Sequence, residues 1–232
     1  MSGGWRQGFS HVAIPAGSVA LWAGLLEARR HFPGEFDWRY MTVSRLLSAR
    51  DNPMGYGWGI VAIESCGAAI LLWILLASGA PSISSARDNA TIRPAPGLRL
   101  LRWGGICTMA SGLAALRVAR VPKLHEMLTL VAFVCLCVGV VRVVHDRTSR
   151  YVARQAWPGW RARLVKGTAS GLLGAPVALA GLAQAYIFYA RPDLHWVGLE
   201  WRARGVPVYL SFAFWEWTTF ALLTVYLLAG AL

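Results

Sequence analysis

Two stretches without a charged residue, 65–86 and 167–190, constrain this chain more than anything else in it. They run for 22 and 24 residues. A helix rising ~1.5 Å per residue carries either of them across the ~30 Å hydrocarbon core of a bilayer. The apolar residues come in runs rather than at alternating or amphipathic spacing. Composition agrees: 56% of the residues are hydrophobic and 15% charged, against roughly 25% charged in soluble domains. The expectation is an all-α integral membrane bundle.

Six spanning helices account for the chain, at about residues 12–26, 57–79, 100–118, 124–144, 164–190 and 207–232. Ser10 opens the first and Pro15 interrupts it early. Ala80-Pro81-Ser82 closes the second, and Pro122 precedes the fourth. Pro207 heads the sixth, where a missing N–H costs least. The third and fifth helices carry small residues that let membrane helices approach closely. These are Gly104, Gly105, Ser111 and Gly112 in one and Ser170, Gly174 and Ala178 in the other, which predicts both at the bundle centre. No linker or repeat divides residues 1–232, so the chain reads as one domain. Its N-terminal stretch lacks the basic start and cleavage site of a signal peptide and reads as a retained first helix.

The net charge of +12 suggests nucleic acid. The arginines lie between the apolar runs, however, where anionic headgroups explain them, and no basic face interleaves with exposed aromatics. Membrane lipids are the expected partners, with other membrane subunits as an alternative, and nucleic acid is not. Lys and Arg divide twelve to eleven between the two sides. The seven basic residues of the fourth loop decide the orientation, and both termini are expected in the cytoplasm. Arginine in preference to lysine, with no eukaryotic-type targeting signal, points to a bacterial cytoplasmic membrane. Cys66, Cys107, Cys135 and Cys137 all lie in apolar runs and read as small hydrophobes. No disulfide, metal or cofactor site is indicated. His125 and His145 would fall at opposite ends of one helix and cannot share a haem.

The polar segment 31–59 is the longest between two apolar runs and holds Asp37, Ser44, Arg45, Ser48, Arg50 and Asp51. Two carboxylates lie within the predicted spans: Glu64 about two turns into the second helix, and Glu216 about nine residues into the sixth. A charge at such depth costs at least ~2.5 kcal/mol and faces the bundle interior or a wet cavity. His125 and Glu126 begin the fourth helix on the same side, and Tyr186 ends the fifth there. Two readings stand side by side. In one, these groups form an outer-half pocket for an amphiphile, with arginines for an anionic head and aromatics for the tail. In the other, the carboxylates are structural and the segment is a packed cap. A third arrangement, an intramembrane metal-dependent hydrolase, would use His31, His125, His195, Asp37 or Asp51, and Ser44. No HExxH or G-x-S-x-G spacing is present. Most tryptophans fall at predicted boundaries, as an aromatic belt requires. Trp215 and Trp217 are predicted too deep for one.

Residues 40–59, YMTVSRLLSARDNPMGYGWG, resemble the first-loop signature of a group of small six-helix membrane proteins. The group includes the damage-regulated autophagy modulators, the GPI-remodelling factor of the secretory pathway, and bacterial relatives of undefined function. The matching positions are Val43-Ser44, Leu47-Ser48 and Asn52-Pro53, with His125 at the start of the fourth helix. Arg45 and Arg50 within the loop, and Glu126 after the histidine, depart from the pattern. The resemblance implies a six-helix bundle with an outward first loop and a role in lipid handling or membrane organisation; it does not imply a reaction. The leading expectation is therefore a polytopic protein that binds a lipid or amphiphile at its outer half without catalysis. A structural subunit of a membrane complex is the first alternative and the hydrolase the second.

Overall fold

The computed structural model describes residues 4–78, 96–115, 124–155, 158–191, 194 and 199–231. Among them every regular element is helical. The order is α1 (Gly4–Arg30), α2 (Val43–Leu46), α3 (Tyr56–Ser78), α4 (Pro96–Ala115), α5 (Leu124–Gln155), α6 (Gly159–Ala190), α7 (Leu199–Ala203), a 3-10 turn (Val208–Leu210) and α8 (Phe212–Ala231). Four helices are long and apolar enough to cross a membrane, over Tyr56–Leu76, Met127–Val152, Gly159–Ala190 and Phe212–Ala229. Among the described residues α4, with Arg99 and Arg102 in its first two turns, falls short of that standard, and α1 carries no Asp, Glu, Lys or Arg between residues 7 and 26. The chain is a helical membrane protein.

The six long helices close into a ring in the order α1, α3, α4, α5, α6, α8, with α5 and α8 also touching across it. Glycines set the closest crossings. A Cβ on Gly24 would lie 2.9 Å from the Trp58 carbonyl oxygen of α3, and one on Gly67 would lie 3.0 Å from the Gly105 oxygen of α4. Gly104 and Gly139 bring α4 and α5 together against Leu136 and Leu101. In lipid, where tails are as apolar as leucine, such contact is what holds helices together.

Several sequence expectations change. The first helix begins at Gly4 and runs through Pro15 unbroken. Neighbouring helices tolerate one missing ladder bond at membrane depth. α5 continues past residue 144 to Gln155, so His145-Asp146-Arg147 is helical rather than a helix end. The sixth helix starts at Phe212, because Pro207 heads the 3-10 turn instead. Trp215 and Trp217 therefore lie in its first two turns, and Glu216 is four residues from its start rather than nine. The fifth predicted helix, α6, is not central. Its buried residues are Ala169, Leu173, Pro176, Ala180, Ala183 and Ile187, spaced by three and four, and they face α5 and α8. Gly174 and Ala178 are exposed on the opposite side. The ends of the second and third predicted helices, with Ala80-Pro81-Ser82 and Pro122, lie outside the described residues.

Candidate functional site

The polar segment folds onto the bundle through buried hydrogen bonds rather than standing open. Asn52 is fully buried; its Nδ2 donates to the carbonyls of Ala28 at 2.9 Å and Leu46 at 3.1 Å, and its Oδ1 accepts from Gly55 N at 3.1 Å. One side chain thus satisfies the end of α1, the end of α2 and the approach to α3. Ser48 Oγ accepts from Asp51 N, and Ser44 and Thr42 share a hydroxyl hydrogen bond of 2.8 Å. Glu216 reaches back from α8 and accepts from Val43 N at 3.1 Å, at the first residue of α2. Its neighbour Trp217 donates Nε1–H to the Met41 carbonyl at 2.9 Å.

A second set of contacts ties the segment to residues 199–211. Tyr40 OH donates to the Val206 carbonyl at 2.7 Å. Arg202 bridges Glu35 at 2.6 Å and Asp37 at 3.4 Å. Asp37 is buried and takes both Nε–H and Nη2–H of Arg39 at 2.8 Å. That guanidinium is the main reason its carboxyl lies below the usual range, outweighing burial, and the carboxylate in turn raises Arg39. Sequence reasoning noted Asp37 but missed this network, Asn52 as its buttress, and the anchoring role of Trp217. The one local signal was Asn52 before Pro53, a dipeptide that favours a turn.

The predicted site residues separate into two groups. Between α3, α4 and α5, Glu64 lies over Gly112, with Oε1 buried and without a hydrogen-bond partner among the described residues. A Cβ on Gly112 would clash with that oxygen. Next to it, His125 Nδ1 lies 2.9 Å from the Ser111 carbonyl, which can only accept, so Nδ1 carries the proton. Thr129 joins the cluster through Ser111 Oγ and the His125 carbonyl. Glu216 belongs to the other group, with the segment itself. Tyr186 joins neither, being exposed on α6. Arg45 is half-buried and Arg50 exposed on the cap. The side chain of Glu126, and His195, lie outside the described residues. The residues of the hydrolase arrangement have local partners instead: His31 with Glu27, Asp37 with Arg39, Ser44 with Thr42. Among the described residues no three His, Cys, Asp or Glu come together as metal ligands could.

Room for a ligand lies elsewhere. A cavity beside the Glu64 cluster measures about 50 Å³ and has Thr108, Ser111, Thr129 and Thr224 in its wall, enough for a water or two. At the opposite end of the bundle a cavity of about 260 Å³ opens between α3, α4, α5 and α8. Trp73, Leu101, Val140 and Leu227 form its buried wall, and Arg147, Thr148 and Tyr226 supply its polar groups. The sequence marks Arg147 only as one charge among many. Comparison with known proteins adds no relative: no family model, no curated protein and no solved structure matches the chain.

Proposed function

We propose that the chain is a six-span integral membrane protein that binds a lipid or similar amphiphile without catalysis. The carrying observation is the apolar cavity of about 260 Å³ with Arg147 in its wall. A greasy recess with a few polar groups on one side is the usual form of an amphiphile site. The outer-half pocket receives less support, because Glu216 and His125 are engaged by backbone groups and the adjoining space is about 50 Å³. In this reading residues 31–55 cap the bundle and hold its helices in register. The resemblance of that segment to the first loop of the autophagy-modulator and GPI-remodelling group points the same way, toward lipid handling.

The hydrogen bonds between the cap and residues 199–211 support the count of spans. Tyr40 bonds to Val206 and Arg202 to Glu35, so residues 31–55 and 199–211 lie on one side. Between them α3, α5 and α6 each cross, which is an odd number, and α4 must supply the fourth crossing. α1 packs along α3 at Gly17 and Gly24, and Trp22 donates to Thr224 of α8 at 3.2 Å, which supports reading α1 as a span too. The concentration of basic residues on α5 and α6 at the other end favours that end as cytoplasmic, with both termini there.

A second reading, a subunit of a larger membrane assembly, rests on α6. Gly171, Gly174 and Gly181 are exposed there, with nothing among the described residues within 4 Å of a Cβ at any of them. Native mass spectrometry of the chain extracted from membranes separates the two. The proposal expects one lipid per chain retained after the micelle is stripped. A stoichiometric protein partner with no retained lipid overturns it in favour of the second reading.

A further inference from the structure

We infer that the cavity between α3, α4, α5 and α8 holds one acyl chain of an anionic phospholipid, whose phosphate rests on Arg147. This rests on the amphiphile reading above and names both the ligand class and the group that selects it.

Volume sets the first limit. About 260 Å³ is room for roughly nine groups of a water's ~30 Å³. That is a length of one chain and not a whole two-chain lipid, so the remainder stays in the bilayer. Lining sets the second. Trp73, Leu101, Val140 and Leu227 are each under a tenth exposed and present no charge, which suits methylene groups. The polar groups, Arg147, Thr148 and Tyr226, lie about two turns before the end of α5 and one to two turns before the end of α8, in the halves of these helices away from the cap. A chain in the cavity would bring its headgroup there.

Charge selects the headgroup. Arg147 is exposed, and among the described residues no carboxylate forms an ion pair with it. Arg99, Arg102, Arg142, Arg150, Arg163 and Lys166 surround that end of the bundle. Asp146 is the one acidic side chain described there. Such a field opposes a cationic ligand and gives a zwitterionic lipid no net attraction. It favours a headgroup with net negative charge, and a guanidinium grips phosphate oxygens through two parallel donors.

The test uses the full chain in vesicles of phosphatidylcholine with a trace of photoreactive phosphatidylglycerol, the diazirine being on one acyl chain. Adducts are expected on the α5 and α8 walls of the cavity, around Val140, Val144 and Leu227. Arg147→Gln should lower them about fivefold, the loss of one basic contact at a membrane surface. Arg163→Gln, an exposed arginine outside the cavity, should leave them nearly unchanged. Val144→Trp, which fills the space without touching the charge, should abolish them, so a misfolded charge variant leaves a second readout. If a photoreactive phosphatidylcholine labels the same residues equally, or Arg163→Gln matches Arg147→Gln, the anionic assignment fails while amphiphile binding stands. If no adduct falls in the cavity with either probe, both fail.

Discussion

Asn52 shows how much one side chain can carry in this chain. It is fully buried and makes three hydrogen bonds, two donated to helix-end carbonyls and one accepted from a loop amide. Removing it leaves those groups without water to replace it, at about 1–3 kcal/mol for each buried group orphaned. Asn52→Ala should therefore cost about 3 kcal/mol or more, read as unfolding in mixed micelles. Asn52→Asp keeps the acceptor for Gly55 but loses both donors, and should fall nearly as far; an Asp variant as stable as the parent would mean the Ala28 and Leu46 bonds contribute nothing. Asp37 acts through charge. Its carboxyl is held below the unfolded value of ~3.9, chiefly by Arg39. A lowered acid stabilises the fold fully above its unfolded pKa, and the contribution fades as pH falls through the lower folded value. The stability gap between the parent and Asp37→Asn should be constant above ~pH 5 and close progressively below ~pH 4. A gap that widens on acidification would contradict the Arg39 pairing.

At the scale of the helices, glycine marks where two backbones must meet. Gly67 and Gly104 lie at crossings where a Cβ would come within 2.6 Å of Met109 Cγ and Leu136 Cδ2 respectively. Leucine at either position forces α3, α4 and α5 apart. Overpacking of this kind costs about 1–3 kcal/mol. Gly174 of α6 has no described residue within 4 Å of a Cβ, so Gly174→Leu should change stability by less than about 0.5 kcal/mol in micelles. Parallel thermal unfolding of the three variants checks the contrast, and equal damage at Gly174 would place a neighbour where none is described. The same elements show what the sequence discloses. The spans expected at about 57–79 and 164–190 fall within about five residues of α3 and α6, since lipid imposes length and apolarity on each span independently. The end of α5 is concealed because Arg142, Arg147 and Arg150 look like a loop, whereas a helix leaving the membrane carries the same residues. Which face of α6 is buried depends on α5 and α8, and the small-residue stripe pointed to the wrong one. The anchors of the cap join residues far apart in the chain, Glu216 to Val43 across 173 positions and Trp217 to Met41 across 176. The cavity around Arg147 exists only once four helices have met. No local pattern encodes either.

For the whole molecule the decisive property is which segments share a side of the membrane, and a single prediction tests the six-span reading against four spans. If only α3, α5, α6 and α8 crossed, residues 31–55 would share a side with the turn before α6, and residues 199–211 would lie opposite. With six crossings the pairing is reversed. The cap then shares its side with residues 199–211, as Tyr40–Val206 and Arg202–Glu35 demand, and the turn before α6 lies with the N-terminus. Arg50, Arg204 and Arg161 are exposed reporters of these three regions. The native cysteines are half-buried within α3, α4 and α5, which keeps background labelling low. In sealed vesicles a membrane-impermeant maleimide should label Arg50→Cys and Arg204→Cys from one side alike, and Arg161→Cys only from the other. An N-terminal epitope should follow Arg161→Cys. Labelling that pairs Arg50→Cys with Arg161→Cys would break the parity of the fold and remove α4 from the membrane. The cavity wall at Leu101 would leave with it, and with that wall the amphiphile site.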